Sequence, residues 1–402
     1  MSDLRGTALI AHGGGPTAVI NASLAGAIEQ CRREPQITNL LGARFGVRGL
    51  LSDDLIDLNA LDEDTVDALR ITPGSALGSS RLEIRDEGFE QLFRLFERHN
   101  VRFFFYTGGN GSMETAMQIH RLAVERGYEL SVIGIPKTID NDLSVTDHSP
   151  GHASCARFFA HAVRDIGEDN RSLPSPVCVV ESLGRNAGWV AASTALARHY
   201  EDDAPHLIYF PERPVNEDTL MAQVEAVYRR LGRVVLVACE GQMNDRGEPF
   251  GADVDRADSP VHRLPSNLGH SLARLISART GLRARAEKPG LLGRSCALLV
   301  SEVDRAEAFE CGRSAVRAAV QGNSGYMVAI RRDSDHPYRS STFLVPLEQV
   351  ARRERLFPQE WITADGCDVK PAYLDYIRPL VGEVRPHVRI ASRSVEGSRT
   401  AR

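Results

Sequence analysis

The sequence contains no C-x-x-C pair. Its seven cysteines, Cys31, Cys155, Cys178, Cys239, Cys296, Cys311 and Cys367, are scattered along the chain. An odd number without metal-ligand spacing speaks against a disulfide framework and a zinc site, and predicts reduced thiols. No apolar run is long enough for a membrane-spanning helix, so no membrane association is expected. There is no long basic run, and the net charge is −5, which argues against a nucleic-acid surface while leaving room for small anions in a local basic pocket. The opening "MSDLRGTALIAHGGG" lacks a signal-peptide pattern, so the expected location is the cytoplasm. No internal repeat, low-complexity tract or Pro- and Gly-rich linker is present.

What is present is the composition of a soluble globular protein too long, at 402 residues, for one ordinary core. The runs "TALIAHGGG", "RFFFYTGG", "LSVIGIPK", "PVCVVESLG", "HLIYFPE", "RVVLVACEG" and "SCALLVSEV" each read as a buried strand. Segments 17–33, 86–99, 112–127 and 152–168 carry helical periodicity, and 53–70 and 216–231 read as amphipathic helices with acidic starts. This alternation predicts an α/β fold of two domains, each with a mainly parallel sheet flanked by helices. The polar tail 388–402 is expected to be disordered.

Three clusters of chemistry follow strands. In residues 10–28 a strand runs into Gly13-Gly14-Gly15 and Pro16, which suits the first turn of a helix. Such a turn lets backbone N–H groups and a helix N-terminus meet an anion, but alone it is equally an ordinary strand–helix connection. It is neither a P-loop nor a dinucleotide fingerprint. In residues 103–119 a second strand ends in Gly108-Gly109-Asn110-Gly111-Ser112, with Ser112 as the expected helix cap. In "GIPKTIDND" a third strand ends at Pro136 and is followed by Lys137, Thr138, Asp140, Asn141 and Asp142. In open α/β sheets ligands bind at the carboxyl ends of strands, so the clusters can converge. A base, a lysine and a carboxylate for a metal are the parts phosphoryl transfer needs.

In order and spacing, "GGGPTAVIN", "GGNGS", "PKTIDND", "ESLGRNAGWVA" and "CEGQ" resemble the phosphofructokinase family over roughly residues 5–330. The resemblance implies phosphorylation of fructose 6-phosphate at its 1-hydroxyl, with Mg²⁺ as cofactor, in a homodimer or homotetramer. It implies a donor and Mg²⁺ domain over 1–150, completed by about 292–330, and a sugar-phosphate domain over 151–291. A C-terminal extension, 331–387, is expected to pack on both.

By the same resemblance Asp140 is the base, with Asp142 beside it near the metal, and Thr138 contacts the substrate. Leu183, Gly184 and Arg185 hold the sugar phosphate, Glu240 grips sugar hydroxyls and Arg294 binds the 6-phosphate. Arg171 and Arg285 match arginines that reach a neighbouring subunit's site. Gly14, Gly15, Arg81, Gly109, Gly111, Ser112 and Lys137 fall on the donor side. Asn110 stands where many members carry a metal-binding aspartate, and Leu291 where many carry a histidine or tyrosine on the sugar. Position 137 tends to be lysine in enzymes that use pyrophosphate, whereas glycine at position 111 is more usual with ATP. Lys137 and Gly111 therefore conflict. The reading taken is pyrophosphate, with ATP as the rival donor. Another sugar phosphate as acceptor, a non-catalytic binding subunit and a NAD kinase are the remaining alternatives.

Overall fold

The computed structural model describes residues 4–173, 176–248, 250 and 267–390. In chain order the first half runs β1 (Gly6–His12), α1 (Ile20–Cys31), β2 (Ile37–Ala43), α2 (Val47–Ser52), β3 (Leu55–Asp57), α3 (Glu63–Ile71), α4 (Asp86–Arg98), β4 (Val101–Gly108), α5 (Asn110–Glu125) and β5 (Ser131–Pro136). The middle runs α6 (His152–Ser172), β6 (Val177–Ser182), α7 (Trp189–Ser193), β7 (Leu207–Tyr209), α8 (Glu217–Leu231), β8 (Val234–Cys239), α9 (Leu268–Thr280), β9 (Ala284–Glu287) and α10 (Leu292–Ser295). The chain then continues through α11 (Glu302–Val320), β10 (Tyr326–Asp335), β11 (Tyr338–Pro346), α12 (Leu347–Val350) and α13 (Pro371–Val381).

The strands form two sheets. The larger has the order β11-β10-β5-β4-β1-β2-β3, antiparallel only at β10–β11 and β2–β3. The smaller, β7-β8-β6-β9, is parallel throughout. Helices cover both faces of each, which is why the inner strands read as unbroken apolar runs. In β1, Leu9 and Ala11 pack with Phe104 and Tyr106 on one face. Ala8 and Ile10 pack with Phe103 and Phe105 on the other.

Strand order reverses at β1, whose neighbours are β2 on one side and β4 on the other, and again at β6, between β8 and β9. A crevice opens at the carboxyl end of each reversal. These two crevices are where Gly13–Gly15, Gly108–Asn110, Leu183–Arg185 and Glu240 lie. Helix α11 returns from the second sheet to pack along α1. A Cβ on Gly26 would stand 2.0 Å from the carbonyl oxygen of Phe309, and one on Gly312 2.0 Å from that of Ser23. Only glycine permits this close approach, which fixes α11 against the larger sheet. Residues 326–346 complete that sheet, whereas Phe357, Trp361, Tyr373 and Tyr376 gather around Trp189 on the smaller one.

Four expectations need correction. "SCALLVSEV" is not a strand. It forms the end of α10 and a 3₁₀ turn, with Leu298 94% exposed, so its apolarity does not report burial. Segment 53–70 is helical only from Glu63; Leu55–Asp57 pairs with β2 instead, and Asp62 caps α3 by accepting from the Thr65 amide. Helix α1 starts at Ile20, so Pro16 precedes its first turn. Helix α5 starts at Asn110 with Gly109 at the cap, leaving Ser112 inside the first turn. Of the tail expected to be disordered, 391–402 lies outside the described residues.

Candidate active site

The glycine turn after β1 is shaped by its neighbours. The Gly13 amide donates to Thr107 (2.8 Å) and the Gly14 amide to Ser80 (2.9 Å), and Gly14 has φ +77°. The side chain of Lys137 passes beneath this turn. Its Nζ donates to the carbonyls of Gly13 (2.9 Å) and Gly15 (2.6 Å). Lys137 is 3% exposed, and burial lowers its pKa to about 8 although Asp140 and Asp142 oppose the shift. Arg81 and Arg294 flank the same turn: a Cβ on Gly15 would lie 2.6 Å from Arg294 Nη1 and 3.8 Å from Arg81 Nη2.

The second turn comes in from β4. Asn110 Nδ2 donates to Asp142 Oδ2 (3.1 Å), while Asn110 Oδ1 is buried without a partner. Ser112 is turned inward beside the Tyr106 hydroxyl. Around Gly111 there is open space, with no atom within 4 Å of the place a Cβ would take. Gly109 lies over the Lys137 carbonyl and Thr138.

The third turn leaves β5. Thr138 Oγ1 donates to Asp142 Oδ1 (2.9 Å) and accepts from the Asp140 amide (3.1 Å). Asp140 is therefore the carboxylate whose side chain is left for chemistry. Burial and then Asp142 raise its pKa to about 7, outweighing Arg185 and Lys137, which act the other way. Arg185 Nε stands 3.8 Å from Asp140 Oδ2, with its side chain 40% exposed.

The second crevice faces this group. Gly184 (φ +135°) and Arg185 (φ +53°) turn the chain after Leu183 so that the Arg185 amide donates to Glu240 Oε1 (3.2 Å). Beneath that loop Cys239 Sγ lies against the carbonyls of Leu183, Arg185 and Ala187. Burial raises the Glu240 pKa, and Glu240 and Arg294 both act on the charge of Asp140 or of each other across the cleft.

The structure thus gathers Gly14, Gly15, Arg81, Gly109, Asn110, Gly111, Lys137, Thr138, Asp140, Asp142, Leu183, Gly184, Arg185, Glu240 and Arg294. It does not gather Arg171 or Arg285. Arg171 is paired with Asp202 (2.9 Å) and Glu168 (3.5 Å), and Arg285 lines a separate cavity with Asp165, Asp169 and Glu287. Leu291 is 65% exposed beside Arg294's helix. Sequence reasoning gave Asn141 no role and missed Arg355. Asn141 sits between the two aspartates at φ +55° and accepts from the Ser149 amide (3.0 Å). The Arg355 amide donates to the Asp142 carbonyl (2.8 Å) from more than two hundred positions along the chain. No local pattern announces Arg355. Among the described residues no three His, Cys, Asp or Glu side chains stand close enough to hold a metal by themselves.

A buried base, an ammonium within a glycine turn and guanidinium groups on both sides can position a phosphoryl donor and an acceptor hydroxyl. Residues 7–319 match the family described as Phosphofructokinase. The chain belongs to the phosphofructokinase family. Within it, the chain is 38% identical over 389 residues to a pyrophosphate–fructose 6-phosphate 1-phosphotransferase of Rhodospirillum rubrum, covering 95% of this chain and 96% of that one. It is 37% identical to the protein of the same name from Halomonas elongata, over 93% of this chain and 91% of the other. The crystal structure of a pyrophosphate-dependent phosphofructokinase from Marinobacter aquaeolei superposes with a TM-score of 0.85 at 34% identity, over 96% of this chain and 94% of that one. These members align through the C-terminal residues as well as the shared core.

Proposed function

We propose that the protein transfers a phosphoryl group from pyrophosphate to the 1-hydroxyl of fructose 6-phosphate, giving fructose 1,6-bisphosphate and phosphate. The observation that carries the choice of donor is Lys137, a buried ammonium bonded into the Gly13–Gly15 turn. Pyrophosphate has no nucleoside to anchor it, so its affinity must come from local cations and backbone N–H groups. Lys137, Arg81 and Arg294 supply the cations.

Asp140 takes the proton of the attacking hydroxyl. Its raised pKa suits that role, since a base poised near the working pH combines availability with driving force. Thr138 and Asn110 hold Asp142 by both carboxylate oxygens, which leaves Asp142 to act by charge and position. Arg185 and Arg294 bind phosphate on the sugar, and Glu240 its hydroxyls. Mg²⁺ fits this site: the unpartnered Asn110 Oδ1 and the Asp142 carboxylate are hard oxygen donors, and Mg²⁺ commonly keeps water and substrate oxygens as its other ligands. When bound there, it would neutralise charge on the phosphates. The reading includes a cytoplasmic homo-oligomer in which Arg171 and Arg285 face a neighbouring copy.

The test is an assay of fructose 6-phosphate with Mg²⁺ and either pyrophosphate or ATP, followed for fructose 1,6-bisphosphate. Turnover with ATP alone overturns the donor. No turnover with either overturns the acceptor as well.

A further inference from the structure

Helix α11 carries two buried carboxylates, Asp304 and Glu307, one turn apart. Both grip the segment that leaves β5. Asp304 Oδ1 accepts from the Gly151 amide (2.8 Å), and Oδ2 accepts from the Ser154 amide (2.9 Å) and Ser154 Oγ (2.5 Å). It satisfies N–H groups at the start of α6 that the helix itself leaves open. Glu307 Oε2 lies 2.5 Å from His148 Nε2, while Oε1 accepts from Tyr338 (2.6 Å) and Ser340 (2.6 Å). The other ring nitrogen, His148 Nδ1, lies 2.8 Å from Asp147 Oδ2, which also accepts from Arg332 Nη2 (3.0 Å).

A carboxylate at each ring nitrogen requires a ring that donates twice, and only the doubly protonated form does so. Burial opposes that charge, but Glu307 and Asp147 outweigh it and hold the His148 pKa at about 10. With Arg332 counted, two positive groups face two negative ones. A buried ionic cluster of this kind is a weak source of stability and a good source of a fixed position.

The cluster reaches the aspartates through the backbone. Residues 138–151 close on themselves, with the Thr138 amide donating to Pro150 (3.2 Å). Next to His148, the Ser149 amide donates to Asn141 Oδ1 (3.0 Å). The carbonyl of Asp147 accepts from Tyr376 Oη (2.8 Å) and Arg355 Nη1 (2.5 Å), and Tyr376 Oη accepts in turn from Asn141 Nδ2 (3.3 Å). Asn141 separates Asp140 from Asp142 and holds a left-handed conformation that asparagine tolerates better than most residues.

We propose that His148 is a positioning residue for phosphoryl transfer: clasped between Asp147 and Glu307, its ring anchors residues 138–151 to helix α11 and so holds Asp140 and Asp142 in register with the glycine turns. Two carboxylates close together in one loop, Asp140 buried and Asp142 half-buried, repel each other, so contacts from outside the loop help to hold them in place. The inference rests on the phosphotransferase reading above, because it names what the loop is held for.

The experiment compares wild type, His148→Gln, Glu307→Gln and the double variant at saturating pyrophosphate and fructose 6-phosphate. A misplaced catalytic loop is expected to lower kcat by about 10- to 100-fold in each single variant. KM for fructose 6-phosphate should stay within about twofold, because the sugar is bound by other residues. The double variant should be no slower than the slower single one, as for two halves of one clasp. Variants with wild-type circular dichroism and thermal midpoint that keep wild-type kcat overturn the proposal, and so does a loss confined to KM. If neither single variant folds, Tyr338→Phe combined with Ser340→Ala removes two donors to Glu307 and leaves the ion pair. A several-fold fall in kcat then supports the clasp, and an unchanged kcat overturns it. A wild type inactive with both donors defeats the functional reading alone. In that case amide exchange over residues 139–149 must quicken in the folded His148→Gln or, failing that, in the Tyr338→Phe, Ser340→Ala variant; unchanged exchange overturns the clasp.

Discussion

Lys137 Nζ and the carbonyl oxygen of Gly15 lie 2.6 Å apart, and the same ammonium reaches the Gly13 carbonyl at 2.9 Å. Lys137 therefore has two duties. It shapes the turn that receives the donor, and it places its charge there. An ammonium has three N–H donors, so one remains for a phosphate oxygen.

This makes Lys137→Gln a sharper test than a shape-changing variant. Glutamine keeps an N–H donor for the glycine carbonyls and removes the charge. Wild type is expected to prefer pyrophosphate over ATP by at least about tenfold in kcat/KM, or about 1.4 kcal/mol. The variant should lose pyrophosphate activity far more than any ATP activity. Equal losses with both donors would mean that Lys137 only supports the turn.

Asp140→Asn retains the shape of the side chain and removes the proton acceptor. A fall in kcat of roughly 10²–10⁴-fold is expected, with little change in the KM of the sugar phosphate. Steady-state kinetics with wild-type-like kcat would remove Asp140 from the mechanism.

The pKa shifts set the sign of the pH dependence. Asp140 must be unprotonated to act, so activity should rise with pH through about 7. Lys137 must be charged to hold the donor, so activity should fall through about 8. The profile of kcat/KM is expected to be a narrow bell between those limbs, since it reports the free enzyme. Lys137→Gln should remove the alkaline limb and leave the acid one. A flat profile from about pH 6 to 9, spanning the values for Asp140 and Lys137, would separate both groups from the rate.

The strands that build the site were legible because β1, β4, β5, β6, β7 and β8 are buried on both faces and so are written as plain apolar runs. Strand β9, "ARAE", and the outer part of β10, "RRDSD", face solvent and carry no such mark. "SCALLVSEV" gave the opposite error: its Leu298 is apolar but exposed and Leu299 only half-buried, and apolar runs report burial only when something covers them. The same logic applies to the site. Residues that follow buried strands were found from their turns. His148 and Glu307 were not, because a contact across 159 positions leaves no trace in local spacing. Arg294 was assigned to the sugar by its motif, but only the structure shows its guanidinium packed over Gly15 beside Arg81.

That placement makes Arg294 testable against both substrates. Arg294→Ala removes a charge-assisted contact worth on the order of 1.5–3 kcal/mol. A rise in KM for fructose 6-phosphate alone would keep it on the sugar. A matching rise for pyrophosphate is the outcome expected from its contact with Gly15, since the guanidinium then bridges the two phosphates. Gly15→Ala should reproduce the pyrophosphate part, because its methyl group would displace Arg294 Nη1. Unchanged KM values in both variants would place Arg294 outside the site.

Gly111 offers the complementary test, because it leaves the nucleotide path open. It is the second residue of α5, and a Cβ there would meet nothing within 4 Å. Gly111→Asp should therefore fold at least as well as wild type. Replacing a helical glycine and placing an acid near a helix N-terminus each contribute roughly 0.5–1 kcal/mol. The new charge would face the additional phosphate of a nucleotide. At about 7 Å and an effective dielectric near 20, one pair of like charges costs about 2 kcal/mol. That corresponds to a loss of roughly 30-fold in kcat/KM for ATP, while pyrophosphate, held deeper against Lys137, should change less than about threefold. The ratio of the two donors in wild type and Gly111→Asp is the measurement. A variant that loses both equally would show that the two donors present the same phosphates to position 111, and the assignment of donor choice to Lys137 would fall with it.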